Sequence, residues 1–179
     1  MKIIKRILFA ILGIIVLALI AAFIMPKEYA VEREIIINQQ KDSVFNYIKH
    51  LKNQDNFSVW SKTDPNMKKT FSGVDGTVGA IAAWESNDKN VGFGEQEIKK
   101  ITTGERIDFE LRFKKPFEST GNAYFTTESI SASETKVKWG FNGKMPYPMN
   151  LMLPVMNMDE MLGKDLEKGL NDLKIILEK

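Results

Sequence analysis

The side chains that could carry chemistry are few and scattered. His50 is the single histidine, and the chain has no cysteine. A zinc site of the usual kind draws several nitrogen or sulfur ligands, which one histidine cannot supply. The missing cysteine excludes disulfides, thiolate nucleophiles and a lipidated terminus. A serine–histidine–acid triad would have to use His50, yet no G-x-S-x-G elbow offers the serine. Gly92-Phe93-Gly94 comes nearest to a phosphate loop and lacks the rest of any glycine fingerprint. His50 follows a short helical pattern, where a surface or capping role is its ordinary place. Acid–base work then falls to carboxylates and tyrosines. Glu95, Glu97, Asp108 and Glu110 lie on neighbouring strand patterns, and if Phe109 and Leu111 point inward, Asp108 and Glu110 point to water. Asp159 and Glu160 interrupt a methionine-rich stretch; a solvated place is the plain reading, and a buried one would raise the pKa toward general-acid use. Tyr124 is the tyrosine candidate for an acid or base. These patterns call for no metal and no cofactor.

The apolar residues form the stronger group. Met149, Met152, Met156, Met158 and Met161 crowd one short stretch, more than half of the nine methionines. Methionine is flexible and adapts to irregular apolar spaces, although packing is the ordinary role of any single one. They open the final stretch, Pro148 to Lys179, where Leu151, Val155, Met158, Leu162, Leu166, Gly169, Leu173 and Ile176 recur at three- or four-residue intervals. That spacing predicts one long amphipathic helix, about 40 Å if unbroken, with a kink or a start at Pro154. Such a helix needs a sheet or another helix over its apolar stripe.

The chain order offers that cover. Tyr29 to Asn38 alternates as a β-branched strand. A short helix is predicted at Val44 to Leu51, capped by Asp42 or Ser43, and a second short helix or turn at Asn53 to Ser61. After the Asp64-Pro65-Asn66 turn, strands are predicted at Met67–Ser72, Val78–Ser86, Val91–Thr102, Arg106–Phe113, Glu118–Ser131 and Thr135–Gly143. In the cleanest, Ile107, Phe109, Leu111 and Phe113 share one face. Short connections predict an antiparallel meander, so the class is α+β with helices gathered on one face of a strongly curved sheet.

The N-terminal segment is of another kind. Ile7 to Met25 carries no charge and, as a helix rising ~1.5 Å per residue, spans about 28 Å, close to the hydrocarbon core of a bilayer. The residues near Ala21 and Ala22 fit a cleavage site poorly, because Leu19 or Ile20 would occupy the −3 position. Residues 1–26 are therefore read as a cytoplasmic stub and transmembrane helix, with membrane contact through residues 7–25, and residues 27–179 as one domain. Lys2, Lys5 and Arg6 favour a cytoplasmic N-terminus. That places a single-pass protein in a bacterial inner membrane with the domain outside. Without those three cations, 22 basic side chains face 23 acidic ones. A near-neutral domain of mixed sign argues against nucleic acid as a partner.

Several segments resemble the START-like (SRPBCC) superfamily, in particular its polyketide cyclase/dehydrase and lipid-transport family. They are Trp60-Ser61-Lys62-Thr63-Asp64-Pro65-Asn66-Met67, Phe71-Ser72-Gly73, and Val78-Gly79-Ala80 leading to Trp84. Lys115-Pro116-Phe117-Glu118-Ser119-Thr120-Gly121 and the closing Met161 to Leu170 extend the likeness from about Tyr29 to Lys179. The resemblance implies the helix-grip (START-like) fold, a curved antiparallel sheet of about seven strands around a long C-terminal helix. It implies a hydrophobic small molecule or lipid held between sheet and helix. The residues expected to line that cavity are Trp60, Trp84, Phe93, Phe109, Tyr124, Trp139 and Phe141, with Met152, Val155 and Met156 from the methionine-rich end. Two alternatives stand beside this reading: a tethered interaction or regulatory module with a filled core, and a cyclase- or dehydratase-type enzyme.

Overall fold

The computed structural model describes residues 2–179. Helix α1 (Lys2–Ile24) is followed by β1 (Glu28–Ile37), α2 (Lys41–Ile48), a 3-10 turn at Leu51–Asn56 and α3 (Val59–Thr63). Then come β2 (Lys68–Ser72), β3 (Ile81–Glu85), β4 (Phe93–Thr102), β5 (Arg106–Lys115), β6 (Ser119–Ser129) and β7 (Thr135–Lys144). A 3-10 turn at Met149–Met152 precedes the closing helix α4 (Met158–Leu177). The seven strands form one antiparallel sheet in the order β1-β7-β6-β5-β4-β3-β2. This is the helix-grip architecture expected, with the meander β2 to β7 closed by β1 pairing beside β7.

Alternation assigns the faces of the sheet. Val31, Ile37, Ile98, Ile107, Phe109, Phe125 and Val137 point inward and are buried, meeting Leu166, Leu170 and Leu173 of α4. Helix α2 adds Val44, Phe45 and Ile48 to the same core. Two glycines let α4 come close. A Cβ on Gly169 would stand 2.6 Å from the Trp139 ring, and one on Gly163 would collide with the Arg33 guanidinium. Arg33 in turn holds both carboxylate oxygens of Asp159, at 2.8 and 2.9 Å, tying the start of α4 to β1.

One local expectation is corrected and one is narrowed. Helix α2 begins at Lys41 after Gln40, and neither Asp42 nor Ser43 caps it. Of the kink or start expected at Pro154, the structure has a start just beyond it, so the closing helix is shorter than the unbroken period. Asn157 caps α4, its side chain accepting from the Glu160 N–H at 3.1 Å, and the residues before it form a 3-10 turn and bends around Pro154. Proline has no N–H to give and its ring clashes with the preceding turn, so the helix starts after it.

Helix α1 is long and apolar enough to cross a membrane. Between Lys2 and Ile24 only Ala18, Ala21 and Ala22 are less than exposed. Its C-terminal end is fastened by Asn150, whose Nδ2 donates to the carbonyls of Ala22 (2.7 Å), Met25 (3.2 Å) and Pro26 (3.4 Å). One side-chain amide thus satisfies carbonyls that a helix end leaves without partners.

Candidate functional site

The inward face is filled at one end of the sheet and open at the other. The difference follows from register. In β4 and β5, Ile98 pairs with Phe109 inside the core, whereas Gln96 pairs with Leu111 and Gly94 with Phe113, beyond which the space is empty. The resulting cavity measures about 430 Å³, bounded by Leu111, Phe113, Ala123 and Phe141 on the sheet and by Leu162 and Leu166 of α4. Specific small-molecule sites occupy ~300–1,000 Å³ and are mostly apolar, so both size and lining suit a ligand. Its exposed rim comes from the loop between β3 and β4 (Lys89, Asn90) and the loop between β5 and β6 (Pro116, Phe117).

Close ring–backbone contacts keep the space clear. Trp84 lies across Gly94, where a Cβ would be 2.5 Å from the ring, and Phe141 lies across Gly121 in the same way. Without a Cβ at these two glycines, the rings can lie over the backbone of the neighbouring strand. Trp139 marks the border: it contacts Phe125 and Phe57 of the filled end, with centroids 4.9 and 5.7 Å away, and Trp60 of the cavity wall at 6.0 Å.

Polar groups are sparse. Gln96 Nε2 donates to Gln54 Oε1 at 3.2 Å. Gln54 is buried and its own Nε2 finds no partner. Asp55 accepts from Lys69 Nζ (2.8 Å) and from Ser61 Oγ (3.1 Å), which closes it into a local ion pair at the wall.

Of the expected lining residues, Trp60, Trp84, Trp139 and Phe141 border the cavity. The other six do not. Phe109 is fully buried in the filled end. Phe93 lies on the outer side of a register shift between Phe93 and Gly94, with the Lys115 ammonium 4.7 Å from its ring. Gly94, Gln96 and Ile98 alternate inward along β4, so plain alternation already turns Phe93 outward; the residue skipped at the shift is Lys114 on β5. Tyr124 is on the outer face, donating its hydroxyl to Glu32 beneath the Arg106 guanidinium. Burial, then the Glu32 hydrogen bond, push its pKa up, and the Tyr124 hydrogen bond is the main cause holding Glu32 low. Met152 and Val155 are exposed and Met156 is half-buried, in the stretch ahead of α4 whose 3-10 turn at Met149–Met152 meets α1.

The acid–base candidates fall on the outside as well. Arg112 binds Glu95, Glu97 and Glu110 on the outer face of β4 and β5. Glu95 and Glu97 are held below the usual carboxylate range, Glu95 first by Lys114 and then Arg112, Glu97 first by Arg112 and then Lys99. Asp108 accepts from Arg106 at 2.7 Å. Asp159 is lowered mainly by Arg33, and Glu160 by Lys164. His50 is partly exposed, its Nδ1 3.5 Å from Asp75, whose carboxylate accepts the Leu51 N–H. Among the described residues no group of three or more His, Asp or Glu is arranged to hold a metal.

Sequence reasoning passed over Gln54, Gln96, Asp55 and Lys69, whose patterns carry no apolar signal. Leu111 and Phe113 were within reach, since they share the alternating face of Phe109.

No protein-family model matches the sequence, and no curated protein is detectably similar to it. Solved structures do match in shape. A protein from Nitrosospira multiformis is 16% identical, with 83% of this chain and 96% of that one aligned at a TM-score of 0.59. Ginseng major latex-like protein 151 from Panax ginseng is 10% identical over 86% of this chain and all of its own, at 0.61. Ara h 8.0201 is 11% identical over 84% and 95%, at 0.54. At such identities the likeness is one of fold, and it supports the START-like architecture read from the sequence.

Proposed function

We propose that the chain is a membrane-tethered binding domain for a hydrophobic small molecule or lipid. Residues 1–26 form the anchor, with the N-terminus in the cytoplasm of a bacterial cell. Residues 27–179 form a START-like domain of the polyketide cyclase/dehydrase and lipid-transport type on the other side of the inner membrane. The observation that carries this reading is the apolar cavity of about 430 Å³ between sheet and helix. Its lining is mostly apolar and its volume falls in the range of small-molecule sites, whereas ordinary interiors are close-packed with few voids larger than a water molecule. The exposed apolar length of α1 supports the tether: water is a poor solvent for that surface and the bilayer core a good one. A filled interaction module fits the cavity poorly. A proton-transfer enzyme is disfavoured by the outward position of Tyr124 and by the Lys69 and Ser61 contacts that occupy Asp55.

The experiment is photolabelling of the full chain in membranes with an alkyl diazirine. The reading expects labelled peptides containing Trp84, Leu111 or Phe141 as well as α1. Label confined to α1 would contradict the ligand site while leaving the anchor in place, and label absent from α1 would contradict the anchor.

A further inference from the structure

The antiparallel register puts the open end of the cavity and the end of α1 on the same side of the domain. Glu28 pairs with Lys144, Phe113 with Ser119, Phe93 with Lys115, and Lys68 with Glu85. The start of β1, where α1 enters, therefore lies at the same sheet end as the two rim loops and the loop from β7 to α4. Tyr29, five residues past α1, already borders the cavity. The attachment is fixed there by the three Asn150 hydrogen bonds and by the Met145 N–H, which donates to the Lys27 carbonyl at 2.8 Å.

That same end carries apolar side chains with nothing over them. Phe117 on the rim and Val155 in the loop before α4 are each 79% exposed, and Tyr147, Met149 and Met152 are exposed beside them. Lys89, Lys114, Lys115 and Lys144 stand exposed among them, Lys114 also reaching Glu95 and Lys144 reaching Glu28, with Lys27 half-buried beside them. Aromatic and apolar tips mixed with lysine suit the interfacial layer of a bilayer, where ammonium groups meet phosphate and apolar groups meet the acyl chains. Because α1 is hydrogen-bonded to the domain at this end, a membrane that accepts α1 is brought close to these residues.

We infer that the end of the domain bearing Phe117, Tyr147, Met149, Met152 and Val155 is seated in the bilayer surface, so that the cavity opens into lipid instead of water. The inference rests on the anchor and ligand-site reading above, and it narrows the ligand to molecules that reside in the bilayer. Such a molecule passes between membrane and cavity beneath Phe117 without crossing the aqueous phase.

The natural absence of cysteine allows a direct test on the full chain. Single cysteines replace Phe117 and Val155, which are exposed and outside the core; Leu17 in α1 serves as the lipid reference and Ser131 at the opposite sheet end as the water reference. Each variant carries a nitroxide label in phosphatidylcholine vesicles, and collisions with oxygen and with a water-soluble nickel chelate are measured. Labels at Phe117→Cys and Val155→Cys are expected to lose nickel accessibility relative to Ser131→Cys and to gain oxygen accessibility toward Leu17→Cys. Phe117 and Val155 labels that match Ser131→Cys, with Leu17→Cys in lipid, would overturn the inference and leave the anchor standing. A Leu17→Cys label in water would overturn both.

Discussion

At the filled end of the sheet, Ile98, Ile107, Phe109, Phe125 and Val137 are covered by α2 and by Leu170 and Leu173 of α4. At the open end, Leu111, Phe113, Ala123 and Phe141 continue the same inward faces of β5, β6 and β7. Only Leu162 and Leu166 reach toward them from α4, with Trp60 at the side. The strands alternate alike at both ends; what differs is the cover. The helix α2 packs on the filled half alone, and the residues that could have extended α4 over the open half bend away at Pro154 toward α1. A cavity here results from a missing helical cover, with the wall rings of Trp84 and Phe141 close over Gly94 and Gly121.

The sharpest way to break this comparison is paired truncation on one strand. Phe109→Ala should destabilise the chain by about 3–5 kcal/mol, as for other buried phenylalanines. Leu111→Ala, two residues on, should cost only about 1 kcal/mol, because its side chain already borders empty space and forfeits fewer contacts. Urea unfolding of the full chain in detergent measures both, and equal losses would mean that the open end is packed.

Acid should separate the two ends next. The cavity end of α4 is tied by Arg33 to Asp159, whose pKa is lowered from its ordinary value near 3.8. A depressed carboxylate contributes stability that is full above the unfolded value and lost as pH falls through the folded one. The other end of α4 has a comparable carboxylate, Glu178, bound to the Asn38 N–H and Lys174, but it also has the burial of Leu170 and Leu173. Below about pH 4, amide exchange should therefore rise at Leu162 before Leu173. Simultaneous exchange would show that the Arg33–Asp159 pair holds nothing in particular.

The smallest effect concerns the Gln54–Gln96 amide pair. Replacing both by leucine removes an unpartnered buried donor along with the bond that occupies its partner. The cost should be near zero, or stability should rise by about 1 kcal/mol, since paired apolar replacement of a poorly satisfied contact is commonly neutral or better. A loss well beyond that would give the pair a structural role.

The strands, their order and the seating of a closing helix were legible because alternation and the leucine spacing of α4 follow directly from the periods of strand and helix. The wall was half legible. Trp84, Trp139 and Phe141 stand on inward faces that a simple alternation predicts. Phe93 and Tyr124 stand on the opposite phase of the same alternation, Phe93 one residue before the inward Gly94 and Tyr124 between the inward Ala123 and Phe125, where it meets Glu32 and Arg106 outside. The methionines misled because the apolar period runs on past Pro154, and only the proline itself marks where the helix begins. Asn150, one polar residue in that run, gave no signal of its contact with α1.

The central claim is that the space between sheet and α4 takes up a hydrophobic molecule. The most direct measurement is native mass spectrometry of the full chain released from detergent, with Ala82→Phe as its counterpart, since Ala82 faces the cavity and the added ring fills part of it. The account predicts a bound hydrophobic adduct on the unaltered chain and its loss from a folded Ala82→Phe. An unaltered chain with no adduct after exposure to membrane lipid extract, or an adduct that persists in Ala82→Phe, would contradict it.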